Sequence, residues 1–145
     1  MNRKLFVYGT LMLEIQSPIA NFLRKNANFL GEGRLSGRLF DLGEYPGAVF
    51  LPNLEETVKG HIFELYDAAQ SFEILDEYEG ISPQMEYINE YKRMEVPIAT
   101  DAGKMECWVY LYQLDTGGLQ VISSGDYGRF IKNSERHQNF VKNQF

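Results

Sequence analysis

Residues 4–11 have the sequence Lys-Leu-Phe-Val-Tyr-Gly-Thr-Leu, a short apolar run that ends at a glycine. Such a run is typical of a buried strand, which Gly9 would end. Gly9 can adopt a positive φ and lets a ligand approach the main chain, and successive N–H groups in such a turn can bind an anion. The alternative is an ordinary tight turn, since no phosphate-loop pattern accompanies it.

Two helix starts follow this first strand. Ser17-Pro18 combines an N-cap residue with a proline at the first helical position, and this helix would run to about Asn26. Asp67 begins a second helix, with a capping-box residue three positions later. Gly80 would end that helix at its C-terminus.

Strand signals dominate the remainder of the chain. The stretches with strand character are 34–42, 58–65, 88–98 and 105–113. Turn chemistry lies at 44–47, a short helical turn begins at Ser124, and the tail after Asn133 is predicted to be polar and frayed. About five or six strands and two short helices predict an α+β fold whose mixed sheet curls into a small barrel.

The composition limits the classes of protein that this chain can represent. A length of 145 residues with 44% apolar and 23% charged residues predicts a single packed domain over residues 1–145. Twenty acidic against 14 basic residues give a net charge of −6, which argues against a nucleic-acid partner. A lone cysteine argues against disulfides and thiolate zinc sites. No signal peptide or membrane span is evident, so we expect a cytoplasmic protein.

The second helix directs one carboxylate toward the core. At 100° per residue, Ala68, Phe72 and Leu75 share one face, and Glu79 falls in the middle of it. Two other glutamates of this helix point to the opposite side. The alternative is that Glu79 lies in a frayed last turn, where helical angles no longer hold. If it is buried, desolvation raises its pKa toward roughly 6–7, the range suited to a general acid or base.

Other candidates have more ordinary interpretations. His61 lies in a predicted strand and His137 in the polar tail, and two isolated histidines make a metal site improbable. Cys107 alternates with core residues and is expected to be a small buried apolar side chain. Tyrosines could be core residues or could place hydroxyls in a pocket, with the core the more common fate. These are Tyr87, Tyr91, Tyr110 and Tyr112.

Three ordered segments resemble the γ-glutamylcyclotransferase-like superfamily, which includes γ-glutamylamine cyclotransferase, the plant AIG2-like proteins and the bacterial YtfP-like proteins. The segments are Leu-Phe-Val-Tyr-Gly-Thr-Leu at 5–11, Tyr-Pro-Gly-Ala-Val at 45–49 and Leu-Asp-Glu-Tyr-Glu-Gly at 75–80. Supporting matches are Tyr-Lys-Arg at 91–93, Trp-Val-Tyr-Leu-Tyr at 108–112 and Ser-Gly-Asp-Tyr at 124–127. The resemblance covers about residues 4–130.

The resemblance implies a small mixed barrel with one cavity and assigns the catalytic glutamate of the family to Glu79. It also implies that Tyr8, Gly9, Thr10 and Leu11 form the loop that holds the glutamyl portion of the substrate. The Thr10-Leu11 version resembles the γ-glutamylamine branch more than the glutathione-active branches. We further expect the substrate to contact three tyrosines, namely Tyr45, Tyr91 and Tyr110.

The expected reaction releases 5-oxoproline and a free amine or amino acid from a small γ-glutamyl compound, without a cofactor. Selectivity for the leaving group would come from the cavity mouth, in the stretches 43–53 and 81–87. Two alternatives stay open: a non-catalytic module that binds an anionic metabolite, and a related acyl-cleaving or epimerase-like enzyme of a biosynthetic pathway. We expect no nucleic-acid or membrane partner, and a monomer or weak homodimer.

Overall fold

The computed structural model describes residues 1–12, 15–81 and 89–143 of the chain. Within these ranges it contains seven strands and four helices. The strands are β1 (Lys4–Val7), β2 (Ala27–Asp41), β3 (Pro46–Phe50), β4 (Thr57–Leu65), β5 (Tyr91–Thr100), β6 (Gly103–Tyr112) and β7 (Gln120–Val121). The helices are α1 (Pro18–Asn26), α2 (Ala68–Tyr78), α3 (Tyr127–Ile131) and α4 (Glu135–Lys142).

Five strands close into a barrel in the order β2-β4-β1-β6-β5, and a pairing of β5 with β2 at Arg34 and Ala99 completes the ring. β1 pairs with β6 in parallel, whereas the other neighbours are antiparallel, so the barrel is mixed. The long strand β2 continues beyond the barrel and pairs there with β3 and β7. The predicted α+β fold with a small mixed barrel is confirmed.

The core fills the barrel with apolar side chains from its strands. Leu35, Ile98 and Val109 are fully buried, and Phe63 nearly so. Cys107 is also fully buried, as expected from its alternation with core residues. Because both faces of β6 are covered near its end, Tyr110 is buried as well, although it belongs to the set that alternates with this core face.

The predicted helix starts agree with the observed caps. The Ser17 hydroxyl accepts a hydrogen bond from the Ala20 N–H at the start of α1, and the Asp67 carboxylate accepts one from the Gln70 N–H at the start of α2. Each cap satisfies a backbone donor that has no partner within its helix. Gly80 follows α2 with a φ of +74°, the left-handed conformation that commonly ends a helix.

The glycine-rich region contains more strand than the sequence predicts. β2 begins at Ala27, ahead of the predicted start at residue 34, and its register with β4 shifts at a bulge between Phe29 and Gly31. Gly33 allows a close approach, since a Cβ there would lie 2.6 Å from the Ile98 side chain. The predicted turn at 44–47 is wrong in its second half, because β3 already begins at Pro46.

The expected frayed tail after Asn133 is wrong, because residues 135–142 form helix α4. The Ser134 hydroxyl caps this helix by accepting a hydrogen bond from the His137 N–H. Only one face of α4 packs against the fold, through His137 and Val141, and the polar remainder gives the segment its tail-like composition. The predicted tail is therefore a helix that packs against the rest of the fold.

Candidate active site

A cavity of about 190 Å³ lies where the end of β1, the end of α2 and the start of β5 meet. Its lining also includes the start of β3, one residue of β6 and one of α4. The lining residues are Phe6, Val7, Tyr8, Gly9, Thr10, Leu11, Tyr45, Pro46, Tyr78, Glu79, Gly80, Glu90, Tyr91, Tyr110 and Phe140.

Every site residue expected from the sequence lies on this cavity. They are Tyr8, Gly9, Thr10, Leu11, Tyr45, Glu79, Tyr91 and Tyr110. They come from five separate parts of the chain, more than 100 residues apart at the extremes. The fold thus brings the three segments of the resemblance to one place.

Glu79 lies at the C-cap of α2, where its N–H donates to the Leu75 carbonyl at 2.9 Å. The core-facing stripe predicted for this helix is observed, with Leu75 buried and Glu73 and Glu77 exposed. No residue within 1–12, 15–81 or 89–143 donates a hydrogen bond to the Glu79 carboxyl, which is an uncommon state for a carboxyl enclosed by protein.

The surroundings of Glu79 favour its protonated form. Burial raises the pKa of this carboxyl to about 8, and the negative charges of Asp76 and Glu90 add to the effect. The direction agrees with the sequence-based expectation, and the value is somewhat higher. A group with a pKa near the working pH can both accept and donate a proton.

Asp76 is fixed beside Glu79, one helical turn earlier on α2. Its carboxylate accepts hydrogen bonds from Arg93 Nε at 2.9 Å, from Arg93 Nη2 at 3.3 Å and from the Tyr110 hydroxyl at 2.6 Å. The Arg93 guanidinium is itself held over the rings of Phe72 and Trp108, at 3.9 and 4.7 Å from their centroids. Arg93 is therefore paired with Asp76 and is not among the residues that line the cavity.

The turn after β1 is built around a hydrogen bond from the Met12 N–H to the Gly9 carbonyl at 3.0 Å. The N–H groups of Thr10 and Leu11 occupy the central positions of this turn and donate to no acceptor in the part of the chain that the structure describes. Both residues are buried. Thr10 and Leu11 also line the cavity, and two successive N–H groups without an acceptor in the described residues are suited to bind a carboxylate.

Gly9 is required for space and does not have the positive φ that the sequence suggested. A Cβ at this position would lie 2.8 Å from the Pro46 side chain, so the close approach of the turn to β3 demands a glycine. The neighbouring Thr10 hydroxyl lies 2.8 Å from the Tyr78 hydroxyl and ties the turn to α2.

Two of the expected tyrosines use their hydroxyls to hold the backbone. Tyr8 donates to the Tyr110 carbonyl at 2.6 Å and accepts from the Ala48 N–H at 3.1 Å. Tyr91 donates to the Pro46 carbonyl at 2.6 Å. Burial raises the pKa of both phenols, so both remain neutral. Their rings line the cavity while their hydroxyls connect strands.

Tyr45, which directly precedes β3, pairs with a carboxylate that also lines the cavity. Its hydroxyl donates to Glu90 at 2.5 Å, and its ring lies 5.1 Å from that of Phe140 and 6.4 Å from that of Tyr91, centroid to centroid. Burial and the contact with Glu90 raise the pKa of Tyr45.

Sequence reasoning missed four residues of the site. Asp76 was placed at the margin of the helical stripe, although its spacing of three from Glu79 makes the two neighbours on the helix surface. Phe140 was assigned to a frayed tail. Tyr78 and Glu90 carried no separate signal, because neither belongs to a periodic pattern.

Several weaker candidates lie away from the cavity. His61 is buried in β4, and its ring packs against that of Phe29. Tyr112 is partly exposed and packs against Tyr91. Tyr87 and most of the proposed mouth stretch 81–87 lie outside the described residues. Within the described ranges, no cluster of three or more His, Cys, Asp or Glu could hold a metal ion, and no helix is long and apolar enough to cross a membrane.

Comparison with known families gives a match over most of the chain. The family model described as "Gamma-glutamyl cyclotransferase, AIG2-like" matches residues 5–129. The gamma-glutamylcyclotransferase family protein YtfP of Escherichia coli (strain K12) is 32% identical over 125 residues, which span 86% of this chain and 95% of that protein.

Solved structures share the fold. The solution structure of ytfP from Escherichia coli superposes with a TM-score of 0.59 at 30% identity, covering 86% of this chain and 95% of that one. The crystal structure of an AIG2-like protein from Mus musculus gives a TM-score of 0.59 at 24% identity, covering 80% of this chain and 90% of that one. At that identity, the mouse protein supports the fold alone.

Proposed function

The chain belongs to the γ-glutamyl cyclotransferase, AIG2-like family, and we propose that it converts a small γ-glutamyl compound into 5-oxoproline and a free amine, with Glu79 as general acid and base. The observation that carries this proposal is the Glu79 carboxyl. It lines the cavity, receives no hydrogen bond from the described residues and has a pKa raised to about 8. A carboxyl in that state is available to a ligand.

The turn after β1 would hold the substrate by its α-carboxylate. The N–H groups of Thr10 and Leu11 are buried on the cavity wall and have no acceptor in the described residues. Hydrogen bonds from buried N–H groups to a carboxylate are charge-assisted and therefore strong. The same donors could instead stabilise the oxyanion that forms on the γ-carbonyl.

Ring closure then needs only the substrate's own atoms. The α-nitrogen attacks the γ-carbonyl carbon, a new N–C bond closes the five-membered lactam, and the C–N bond to the leaving amine breaks. Holding the chain folded makes this attack intramolecular, an advantage that can be worth about 7–11 kcal/mol of the barrier in well-oriented systems.

Protons balance through Glu79. The α-ammonium loses two protons as it becomes the lactam N–H, and the leaving nitrogen gains two as it departs as an ammonium ion. An α-amino group has an ordinary pKa of about 7.7–8.0, close to that of Glu79, so transfer between them costs little free energy.

The test is release of 5-oxoproline by the purified chain from γ-glutamyl amides, γ-glutamyl amino acids and glutathione. We expect 5-oxoproline and the free amine in equal amounts from at least one of these substrates. Stabilisation of the protein by the same compounds without any turnover would contradict the proposal and favour the non-catalytic binding module.

A further inference from the structure

The cavity has a wall that the cyclisation chemistry does not use. It consists of Tyr45, Glu90, Tyr91 and Phe140, called here the Glu90 wall. Tyr45 donates to one oxygen of Glu90 and packs its ring against Phe140 and Tyr91. A carboxylate that lines the cavity is thereby fixed at the edge of a cluster of three aromatic rings.

The ionisable side chains among the described residues that line the cavity are acids or phenols, and none is a base. Among the described residues that line the cavity are two carboxyl groups, Glu79 and Glu90, and no Lys, Arg or His. The nearby Arg93 is paired with Asp76 and held between two aromatic rings, so it does not supply a cation to the cavity. A leaving group with its own carboxylate would meet Glu90 without any counterion.

A carboxylate surrounded by aromatic rings is the arrangement that binds an ammonium ion. The carboxylate supplies charge, and the rings supply the negative face of their π-systems. One Glu90 oxygen is fixed by the Tyr45 hydroxyl, which leaves the other oxygen and further lone pairs for a ligand. The γ-glutamyl head needs Glu79 and the turn at Thr10 and Leu11, so the Glu90 wall faces the remainder of the substrate.

We propose that the Glu90 wall selects the leaving group by binding a second ammonium ion on it, so that the preferred substrates are γ-glutamyl conjugates of diamines. This inference rests on the proposed cyclotransferase function. Conjugates of uncharged amines are intermediate, because the aromatic rings still contact an alkyl chain. Conjugates whose leaving amine carries a carboxylate are the poorest substrates.

Three γ-glutamyl amides that differ only in a five-carbon leaving amine test this order of substrate preference. Their leaving amines are 1,5-diaminopentane, pentylamine and 5-aminopentanoate. We expect kcat/KM for 5-oxoproline release to fall in that order, with a gap of about tenfold between the diamine and pentylamine conjugates. Equal rates, or a preference for the carboxylate, would overturn this inference and leave the proposed function intact. Release from none of the three, with release from glutathione or a γ-glutamyl amino acid, would also overturn this inference alone, and release from no γ-glutamyl compound would overturn both.

The variant Glu90→Gln distinguishes a role of Glu90 in choosing the leaving group from a general loss of activity. The amide oxygen can still accept from Tyr45, but the charge is lost. We expect the ratio of kcat/KM between the diamine and pentylamine conjugates to fall toward one, whereas any change in the pKa of Glu79 affects both substrates and cancels in the ratio. The matched control is Glu44→Gln, which removes an exposed charge beside Tyr45 that does not line the cavity. An unchanged ratio in Glu90→Gln would refute the assignment.

Discussion

Two partly buried carboxyl groups in this molecule have opposite surroundings. Behind α4, the Asp41 carboxylate lies 2.7 Å from His137 Nε2 and also accepts from the Gly43 N–H at 2.8 Å, while His137 Nδ1 lies 2.8 Å from the Tyr127 hydroxyl. His137 and Tyr127 are completely buried. In the cavity, Glu79 is also enclosed, but it receives no hydrogen bond from the described residues and is close to the negative charge of Asp76.

The difference separates a structural cluster from a chemical one. At Asp41, each of the three polar side chains has a hydrogen-bond partner in the protein, so the cluster connects α4 to the end of β2. At Glu79, the described residues leave the carboxyl without a hydrogen-bond partner, and burial destabilises its charged form. A fold retains such a group at a cost in stability, which is the state expected at a functional site.

The largest expected effect is on catalysis. Glu79→Gln should lower kcat for 5-oxoproline release by about 10²- to 10⁴-fold, because general acid–base help is typically worth that much. Glu77→Gln removes an exposed carboxyl from the same helix and serves as the matched control. The far-ultraviolet circular dichroism of both variants checks the fold. Full turnover by a folded Glu79→Gln protein would contradict the role of Glu79.

His137→Ala should lower the stability of the fold and leave the rate of turnover unchanged. The substitution leaves the Asp41 carboxylate and the Tyr127 hydroxyl with one partner fewer inside the protein, which typically costs about 3–5 kcal/mol. Urea unfolding at pH 7 measures the loss. Turnover per folded molecule should stay near that of the original protein, since none of the three residues lines the cavity. A loss of turnover with unchanged stability would show that His137 serves catalysis and not the stability of the fold.

The sequence could predict the carboxyl that lines the cavity but not the one in the Asp41 cluster. The helical stripe of Ala68, Phe72 and Leu75 places Glu79 from local geometry alone, because a regular helix fixes the direction of each side chain. Asp41, His137 and Tyr127 are 10 to 96 residues apart. No local pattern indicates that they meet.

The same limit explains the other errors. The first half of β2 contains glycines whose purpose is a bulge and a close approach to Ile98, contacts that only the closed barrel creates. α4 buries a narrow face through His137 and Val141, so its composition resembles a surface tail. Glu90 lies just before β5, and its partner Tyr45 is 45 residues away.

A third prediction concerns the stability cost of Glu79. Its pKa is about 8 in the fold against an ordinary 4.5, so below pH 4.5 the carboxyl is protonated in both states and costs nothing. As the pH rises toward 8, the unfolded chain ionises first and the folded protein loses stability. The free energy of unfolding of Glu79→Gln, relative to that of the original protein, should therefore rise by about 2–4 kcal/mol from pH 5 to pH 9. Urea unfolding at both pH values measures this difference, and a constant difference would argue against a raised pKa.

The smallest expected effect comes from Asp76. Asp76→Asn keeps acceptors for Arg93 and Tyr110 but removes a negative charge that raises the pKa of Glu79. The acid limb of kcat/KM, expected near pH 8, should move to lower pH by about one unit or less. Glu73→Gln, an exposed charge on the same helix, is the control and should leave the limb in place. A limb that moves to higher pH in Asp76→Asn would show that the charge of Asp76 does not raise the pKa of Glu79.

The most direct measurement of the central claim, that the surroundings of Glu79 raise its pKa into the range where it can both accept and donate a proton, is the titration of this carboxyl. ¹³C NMR of the Glu79 side-chain carboxyl, assigned by its absence in Glu79→Gln, gives the pKa in the free protein. We predict a midpoint near 8. A midpoint near the ordinary value of 4.5 would contradict it.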